Sequence, residues 1–384
     1  MEKIVIFHHV SNIGGGTISL VDVCKMLSAE YEVVVVIPRK NSQELTARLI
    51  PFAKVKHFNG TMPQISYYSG SNALLSRGFF SSCFVPKNEI REIVSMIEEE
   101  APDLVLANSM IQCRMGKYLK HLSAKKLIYI RETFRENAVS RFMIRLMNRY
   151  FDGVLCIAPY EKEYGNFSIP CEVVADCYDI PNPVIVSPVK DDKFTALFLG
   201  GDSPIKGLDV LLKAIPYCSK NIHYQVCGNV RTTPASFKER LLHPKMALRA
   251  KCIAVSLKKY ADRVQCLGYV SDTESVIRSC NVVVFPSTVP HQSRPALEAG
   301  AFGKPAILSD FKQTQCFFKD GYNCLTFRPR SPKALANALQ RLADDSGLQE
   351  TLGKNNYDAY VRLHNAQEEK SKLLNFVAKF LKED

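Results

Sequence analysis

Two series of short apolar runs, rich in β-branched residues and separated by helical stretches, constrain this 384-residue chain more than any other feature. The first series is Ile4–Phe7, Glu32–Ile37, Asp103–Ala107, Lys126–Ile130 and Gly153–Ile157. The second is Thr195–Leu199, His223–Cys227, Val264–Leu267, Val282–Phe285 and Pro305–Leu308. These runs do not alternate apolar with polar residues, so each is expected as a strand covered on both faces. Amphipathic stretches such as Asn88–Glu100, Leu208–Tyr217, Thr273–Ser279 and Ser331–Asp345 lie between them and predict helices. Strand–helix alternation in two series predicts an α/β chain of two doubly wound domains. Asp179-Ile180-Pro181-Asn182-Pro183, with two prolines ahead of the second series, is the expected linker, giving domains 1–182 and 183–365. Ala366–Asp384 reads as an amphipathic helix, expected to cross back to the first domain. Its Leu373, Leu374, Phe376, Val377, Phe380 and Leu381 recur at three- and four-residue steps.

Other classes are set aside by composition. The 13 cysteines are scattered without a C-x-x-C pair, so neither a metal site nor a disulfide scaffold is expected, and reduced thiols in a cytoplasmic protein are. No run approaches the ~18 apolar residues of a membrane span, and Met1–Phe7 lacks the basic start of a signal peptide. Any meeting with a membrane is therefore expected at the surface. The formal net charge of +12 suits an anionic partner. Nucleic acid is not expected, because no RNA-binding aromatic signature, zinc-finger spacing or helix-turn-helix is present.

Four segments could carry chemistry. Gly14-Gly15-Gly16-Thr17 follows the first strand and precedes the helical stretch Ile18–Leu27. Consecutive glycines there permit close approach of a ligand to free helix-start amides, or simply make a strand-to-helix turn. Gly200-Gly201-Asp202-Ser203-Pro204-Ile205-Lys206-Gly207 follows the strand Thr195–Leu199, and its lysine either neutralises a phosphate or is a solvated loop residue. Pro286-Ser287 through His291-Gln292-Ser293-Arg294-Pro295-Ala296-Leu297-Glu298 forms a polar loop and a helix start at the carboxyl end of a strand, where ligands bind in parallel sheets. Glu298 sits one turn into that helix beside Ala and Leu and needs a partner. Sugar hydroxyls would serve, and a helix-start dipole contact is the plainer account. The fourth segment is basic: Arg141, Arg145 and Arg149 share a helix face, interleaved with Phe142, Met143, Ile144, Leu146 and Met147. It could rest on an anionic leaflet, receive a phosphate-bearing acceptor, or be an ordinary surface helix. The basic stretch Lys238–Arg263 is equally open.

In this order the segments resemble the retaining glycosyltransferases of the GT-B fold, specifically the group called family 4. The glycine-rich loop fits after the first strand, as does the Gly-x-x-x-x-x-Lys-Gly opening from Gly200 to Gly207. So do Leu267-Gly268-Tyr269-Val270, Glu298-Ala299 to Gly303-Lys304-Pro305, and Asp320-Gly321-Tyr322-Asn323. The likeness spans nearly the whole chain and is most specific in the second domain. It implies two Rossmann-like domains facing a central cleft, the first binding the acceptor and the second the nucleotide sugar. It further implies donor contacts at Gly15, Gly16, Gly200, Gly201, Lys206, Tyr269, Val270, Ser293, Arg294, Pro295 and Glu298. Glu298 matches the second glutamate of an E-x7-E motif, which holds the donor ribose. Two positions depart from the pattern: Pro290 stands in place of the first glutamate, which contacts the donor sugar, and Gly201 in place of an arginine.

The chemistry expected from this likeness is transfer of a sugar from a nucleotide diphosphate to a glycan or lipid-linked acceptor, in bacterial surface polysaccharide synthesis. Lys206, with Arg294 as a candidate second cation, would stabilise charge developing on the leaving group. No metal and no resident cofactor are expected, since the chain has no DxD motif. Glu132, after the strand Lys126–Ile130, is a catalytic candidate on the acceptor side, flanked by Arg131 and Arg135. The departures at Pro290 and Gly201 motivate a second reading, a catalytically silent GT-B protein that binds nucleotide or glycan as a scaffold. A GT-B sugar epimerase is a third. A nicotinamide dehydrogenase is not expected, because neither domain has G-x-G-x-x-G followed by an acidic ribose partner at the right distance.

Overall fold

The computed structural model describes residues 1–71, 76, 79–80, 83–177, 193–231, 233 and 236–382. It divides into two compact units, Met1–Asp176 with Ala366–Asp384, and Cys177–Asn365. The expected linker Asp179–Pro183 lies outside the described residues.

The first unit is built on a seven-stranded parallel sheet in the order β3-β2-β1-β4-β5-β6-β7. Its strands are β1 (Lys3–Phe7), β2 (Glu32–Pro38), β3 (Lys54–Phe58), β4 (Leu104–Ala107), β5 (Lys125–Ile130), β6 (Gly153–Cys156) and β7 (Cys171–Val173). β1 pairs on one side with β2, Ile4 against Val33, and on the other with β4, Ile4 against Leu104. Because side chains alternate along a strand, Val5 and Phe7 enter one core layer while Ile4 and Ile6 enter the opposite one. Both layers are sealed by helices, which is why the strand sequences are apolar throughout. The terminal helix Ala366–Leu381 seals the second layer with Leu373, Phe376, Val377 and Phe380. A Cβ on Gly153 would lie 2.5 Å from the Phe380 ring, so that strand position stays bare beneath the helix.

The second unit holds a six-stranded parallel sheet in the order β10-β9-β8-β11-β12-β13. Its strands are β8 (Phe194–Leu199), β9 (Ile222–Cys227), β10 (Val264–Gly268), β11 (Val282–Phe285), β12 (Ala306–Ser309) and β13 (Leu325–Phe327). Ala196 and Phe198 face one layer, and Leu197 the other with Val283 and Phe285.

Three edge strands, β3, β7 and β13, escaped the sequence reading. β3 is Lys-Val-Lys-His-Phe, and its lysines lie 2.9 Å (Lys54) and 2.8 Å (Lys56) from the buried carboxylate of Glu100. Burial pushes that carboxyl up, but hydrogen bonds from Lys56 and Lys54 outweigh it and bring the pKa down to about 2. Charged edge strands resist pairing with other chains, at the cost of looking polar in sequence.

Candidate functional site

In the second sheet the strand order reverses between β8 and β11, and the loops leaving both strands meet there. Thr288 ties the two together: its amide donates to Ile205 O at 2.9 Å and its hydroxyl to Pro204 O at 3.0 Å. Two glycines are required by the backbone itself. Gly201 has φ +57°, and a Cβ would lie 2.7 Å from Asn229 O. At Gly207, φ is +81° and a Cβ would lie 1.8 Å from Pro286 O. Gly201 stands where the family resemblance expects arginine, and the left-handed backbone pressed on Asn229 explains why no side chain is carried.

Lys206 closes this loop. Its ammonium donates to His291 Nε2 at 2.8 Å and lies 5.0 Å above the Phe285 ring. Burial pulls its pKa down to about 8. Burial, then the neighbouring Lys206 charge, lowers His291 to about 3. The imidazole is therefore neutral and accepts, so it orients the lysine without neutralising it. Among the described residues no carboxylate stands within ion-pair distance of Lys206. The next residue, Gln292, presents a buried Nε2 with no hydrogen-bond partner. Among the described residues the loop thus holds a cation without a counter-ion and, one residue past the lysine's histidine partner, a buried donor without an acceptor, groups that an anion could satisfy.

Helix Arg294–Ala301 starts at the same rim. Ser293 caps it, its Oγ accepting from Ala296 N at 3.3 Å, and Pro295 occupies the first turn as its sequence position predicts. Arg294 Nε donates to Glu298 Oε1 at 3.0 Å, and both side chains are mostly buried. The partner expected for Glu298 was a sugar hydroxyl, and for Arg294 a phosphate. In this structure each engages the other, four residues apart on one face. Tyr269 follows the left-handed Gly268 (φ +69°) and is 55% exposed, whereas Val270 packs into the core layer of Phe285. Gly200, at the end of β8, donates its amide to Cys227 O at 3.2 Å.

Arg249 has a role not visible in sequence. From helix Pro244–Lys259 it reaches the Lys206 loop, donating to Asp202 O at 2.5 Å and to Asp209 Oδ1 at 2.9 and 3.0 Å. Asp209 is in the first turn of the helix that follows the loop, so one guanidinium clasps both ends of the segment.

The first sheet reverses between β1 and β4. After β1 the helix begins at Gly15, three residues before the expected Ile18, with Gly14 as an extended cap whose amide donates to Thr17 Oγ1 at 2.8 Å. Gly14, Gly15 and Gly16 are exposed and have no positive φ, and a Cβ on any of them would meet nothing within 4 Å. Neither packing nor backbone strain asks for glycine there, and the helix start stays open on its outer side.

Beside that turn the polar groups of the first unit are largely occupied with one another. Arg131 Nη1 is 3.0 Å from Asp176, its Nε donates to Asn108 Oδ1 at 3.2 Å, and it stacks 3.6 Å over Tyr129. Glu132 accepts from the Ser109 hydroxyl and from Met110 N at 3.0 Å, and burial raises its pKa against those bonds. Arg135 donates to Ser71 O at 2.7 Å and lies over Tyr67. These three were expected on the acceptor, and all three are engaged by the protein. His8 was missed. Burial, then His9 and Arg131, lower its pKa well below the usual range, so the ring is neutral. It meets Asn108 Nδ2 at 3.3 Å, while its buried Nε2 has no hydrogen-bond partner. Its sequence signal is a polar residue immediately after an apolar strand at the switch point.

Arg141, Arg145 and Arg149 lie exposed on one face of helix Ala138–Tyr150, and Met143, Ile144 and Met147 are buried on the other, as their spacing predicts. Among the described residues no cluster of metal-ligating side chains occurs, and no helix is long and apolar enough to cross a membrane.

Comparison with known proteins converges on the same reading. Residues 184–359 match the model of the family described as glycosyl transferases group 1. The chain is 24% identical over 269 residues to the uncharacterized glycosyltransferase MJ1178 of Methanocaldococcus jannaschii, covering 68% of this chain and 71% of that protein. Among solved structures it resembles Anabaena HepE in complex with UDP and glucose, with a TM-score of 0.77 at 17% identity over 98% of this chain and 100% of that one. It also resembles sucrose-phosphate synthase of Thermosynechococcus elongatus, with a TM-score of 0.72 at 16% identity over 100% of both chains. At these identities the structures establish the fold, and the family match falls on the unit that carries Lys206. The chain is a glycosyltransferase of the GT-B fold, and residues 184–359, in its second unit, match the glycosyl transferases group 1 model.

Proposed function

We propose that the chain moves a sugar from a nucleotide-diphosphate donor to a glycan or lipid-linked acceptor, with retention at the anomeric carbon. The observation that carries this reading is Lys206, a largely buried ammonium held by a neutral histidine, with no carboxylate in ion-pair distance among the described residues. A pyrophosphate supplies the missing negative charge. As the sugar–phosphate bond breaks, charge accumulates on the leaving phosphate, and a fixed cation in a low-dielectric loop stabilises that change more than it stabilises the ground state. His291 sets the direction of the ammonium, and Arg249 holds the loop that presents it. Glu298, braced by Arg294, is placed to receive donor hydroxyls at the same rim.

The open helix start at Gly14–Gly16 supports a second phosphate- or sugar-approach point in the first unit. UDP-bound HepE makes uridine nucleotides the first donors to try. The role in bacterial surface polysaccharide synthesis draws support from likeness to a lipopolysaccharide outer core galactosyltransferase, WaaB, at a TM-score of 0.66 and 18% identity. No resident metal or cofactor is part of this reading.

Calorimetric titration with a panel of nucleotide sugars, repeated on Lys206→Ala, tests the proposal. Binding of at least one nucleotide by the wild type and its loss in the variant are expected. Wild-type affinity unchanged by the substitution would overturn the role of Lys206. Proton NMR of the product reports retention, and turnover unaffected by EDTA is expected. Binding without turnover of any sugar would favour the scaffold alternative.

A further inference from the structure

We propose that the segment from Arg240 to Lys259 of the second unit docks on an anionic lipid bilayer. Helix Pro244–Lys259 has 16 residues, and only Ile253 among them is fully buried. A helix that merely covers a sheet buries a whole stripe. Here the outward face is a mixture of a different kind. Leu248, Lys251, Val255 and Lys258 follow one another at steps of three and four, so they stand on one side of the helix. Leu248 is 63% exposed and Val255 58%. Just before the helix, Leu241 is 71% exposed and Leu242 59%, and Met246 in the first turn is 60% exposed. Helix Pro244–Lys259 and the short helix Phe237–Leu242 before it border a groove of about 850 Å³, lined by Ala247, Leu248, Ala254 and Val255, with Arg240 and Lys251 among its basic residues.

Charge decides the occupant. From Arg240 through Ala261 the sequence has no acidic residue, while Arg240, Lys245, Lys251, Lys258 and Lys259 are exposed. A second copy seated on this surface by a two-fold axis would set basic groups against basic groups, with no carboxylate between Arg240 and Ala261 to compensate. An anionic bilayer satisfies both components: exposed leucine, methionine and valine enter the headgroup boundary, and the lysines near the surface are drawn to the anionic lipid. The arginine face of helix Ala138–Tyr150, the earlier candidate for this task, has one exposed large apolar residue among those described, Phe142. It offers charge with little to insert.

The inner side of the docking helix carries Arg249 into the Lys206 loop, one residue from the outward Leu248. The proposal does not depend on the donor reading, and the two fail separately.

The test is sedimentation of the full chain with phosphatidylcholine vesicles, with and without phosphatidylglycerol. Two double variants, Leu248→Ser with Val255→Ser and Lys251→Glu with Lys258→Glu, are compared with the triple Arg141→Ala, Arg145→Ala, Arg149→Ala. Binding that requires phosphatidylglycerol, falls about tenfold or more in both doubles and persists in the triple is expected. Thermal shift with UDP on every variant confirms folding and reads donor binding independently. Three results would each overturn the proposal. One is equal sedimentation with neutral and anionic vesicles. The second is loss in the triple but in neither double. The third is a concentration-dependent dimer by light scattering, abolished by the Leu248→Ser, Val255→Ser pair, with no vesicle binding.

Discussion

The two sheets repeat one design with opposite electrostatic outcomes. Each reverses strand order between neighbours that leave their loops at the same end, β1 with β4 and β8 with β11. In the first unit the charges that gather there find partners inside the fold. Arg131 meets Asp176, and Glu132 takes hydrogen bonds from Ser109 and Met110. In the second unit the charge is left uncompensated, because Lys206 meets a neutral His291. The charges of the first switch point are paired within the fold, with the unpartnered Nε2 of His8 and an open glycine turn beside them. The second is left open, and it is there that the donor is proposed to bind. A Rossmann-like topology supplies a place for chemistry in both cases, and the side chains decide whether that place is already filled.

Removing the two cations should separate these roles most clearly. Lys206→Ala is expected to lower kcat/KM by about 100- to 1,000-fold, as loss of one fixed group facing developing charge does, with the melting temperature unchanged or raised. Arg131→Ala should do the reverse. It removes the 3.0 Å ion pair to a mostly buried Asp176, so a loss of stability, up to about 3–5 kcal/mol, is expected by urea titration, with donor affinity in the folded fraction retained. If Arg131→Ala cost activity and no stability, the first switch point would be a binding site too.

pH sharpens the contrast. Lys206 is charged below about pH 8 and loses its proton above. Nucleotide affinity should be flat below that value and fall up to about tenfold per pH unit above it, since an anion binds the protonated form. The apo protein moves the other way. The unfolded lysine binds its proton up to its ordinary, higher pKa, so between the two values the unfolded state holds more protons and this group adds stability as pH rises. Calorimetry and thermal melts across pH 7–10 check both signs, and a flat affinity profile would remove Lys206 from the anion site. The smallest effect is expected from Arg249→Ala, a few-fold rise in donor KM with kcat nearly kept. Arg249→Lys should rescue it only in part, because one ammonium cannot reproduce a fork spanning Asp202 O and Asp209.

What could be read from the sequence followed from local pattern. The apolar runs located the central strands because burial on both faces leaves an unmistakable composition, and the glycine-lysine loop and Ser293–Glu298 were found by their position after strands. The edge strands β3, β7 and β13 were not, since short strands at a sheet margin need no continuous apolar run. His291, His8 and Arg249 stayed hidden for another reason. Their meaning comes from partners 85, 100 and 40 residues away, brought together only by parallel crossovers. Gly201 looked like a lost arginine, and only the backbone of Asn229 shows it to be a steric requirement.

The terminal helix Ala366–Leu381 packs in the first unit, although the whole of the second unit separates it in sequence from residue 176. In connectivity the second unit is therefore an insertion within the first. In chain order residues 177–365 precede Phe376, Val377 and Phe380, so one core layer of the first unit lacks its outer wall until the chain beyond the second unit has been made. Ordered assembly of this kind predicts that an incomplete nascent chain exposes Gly153 and its neighbours, and that chaperone capture is directed to the N-terminal half until the last turn emerges.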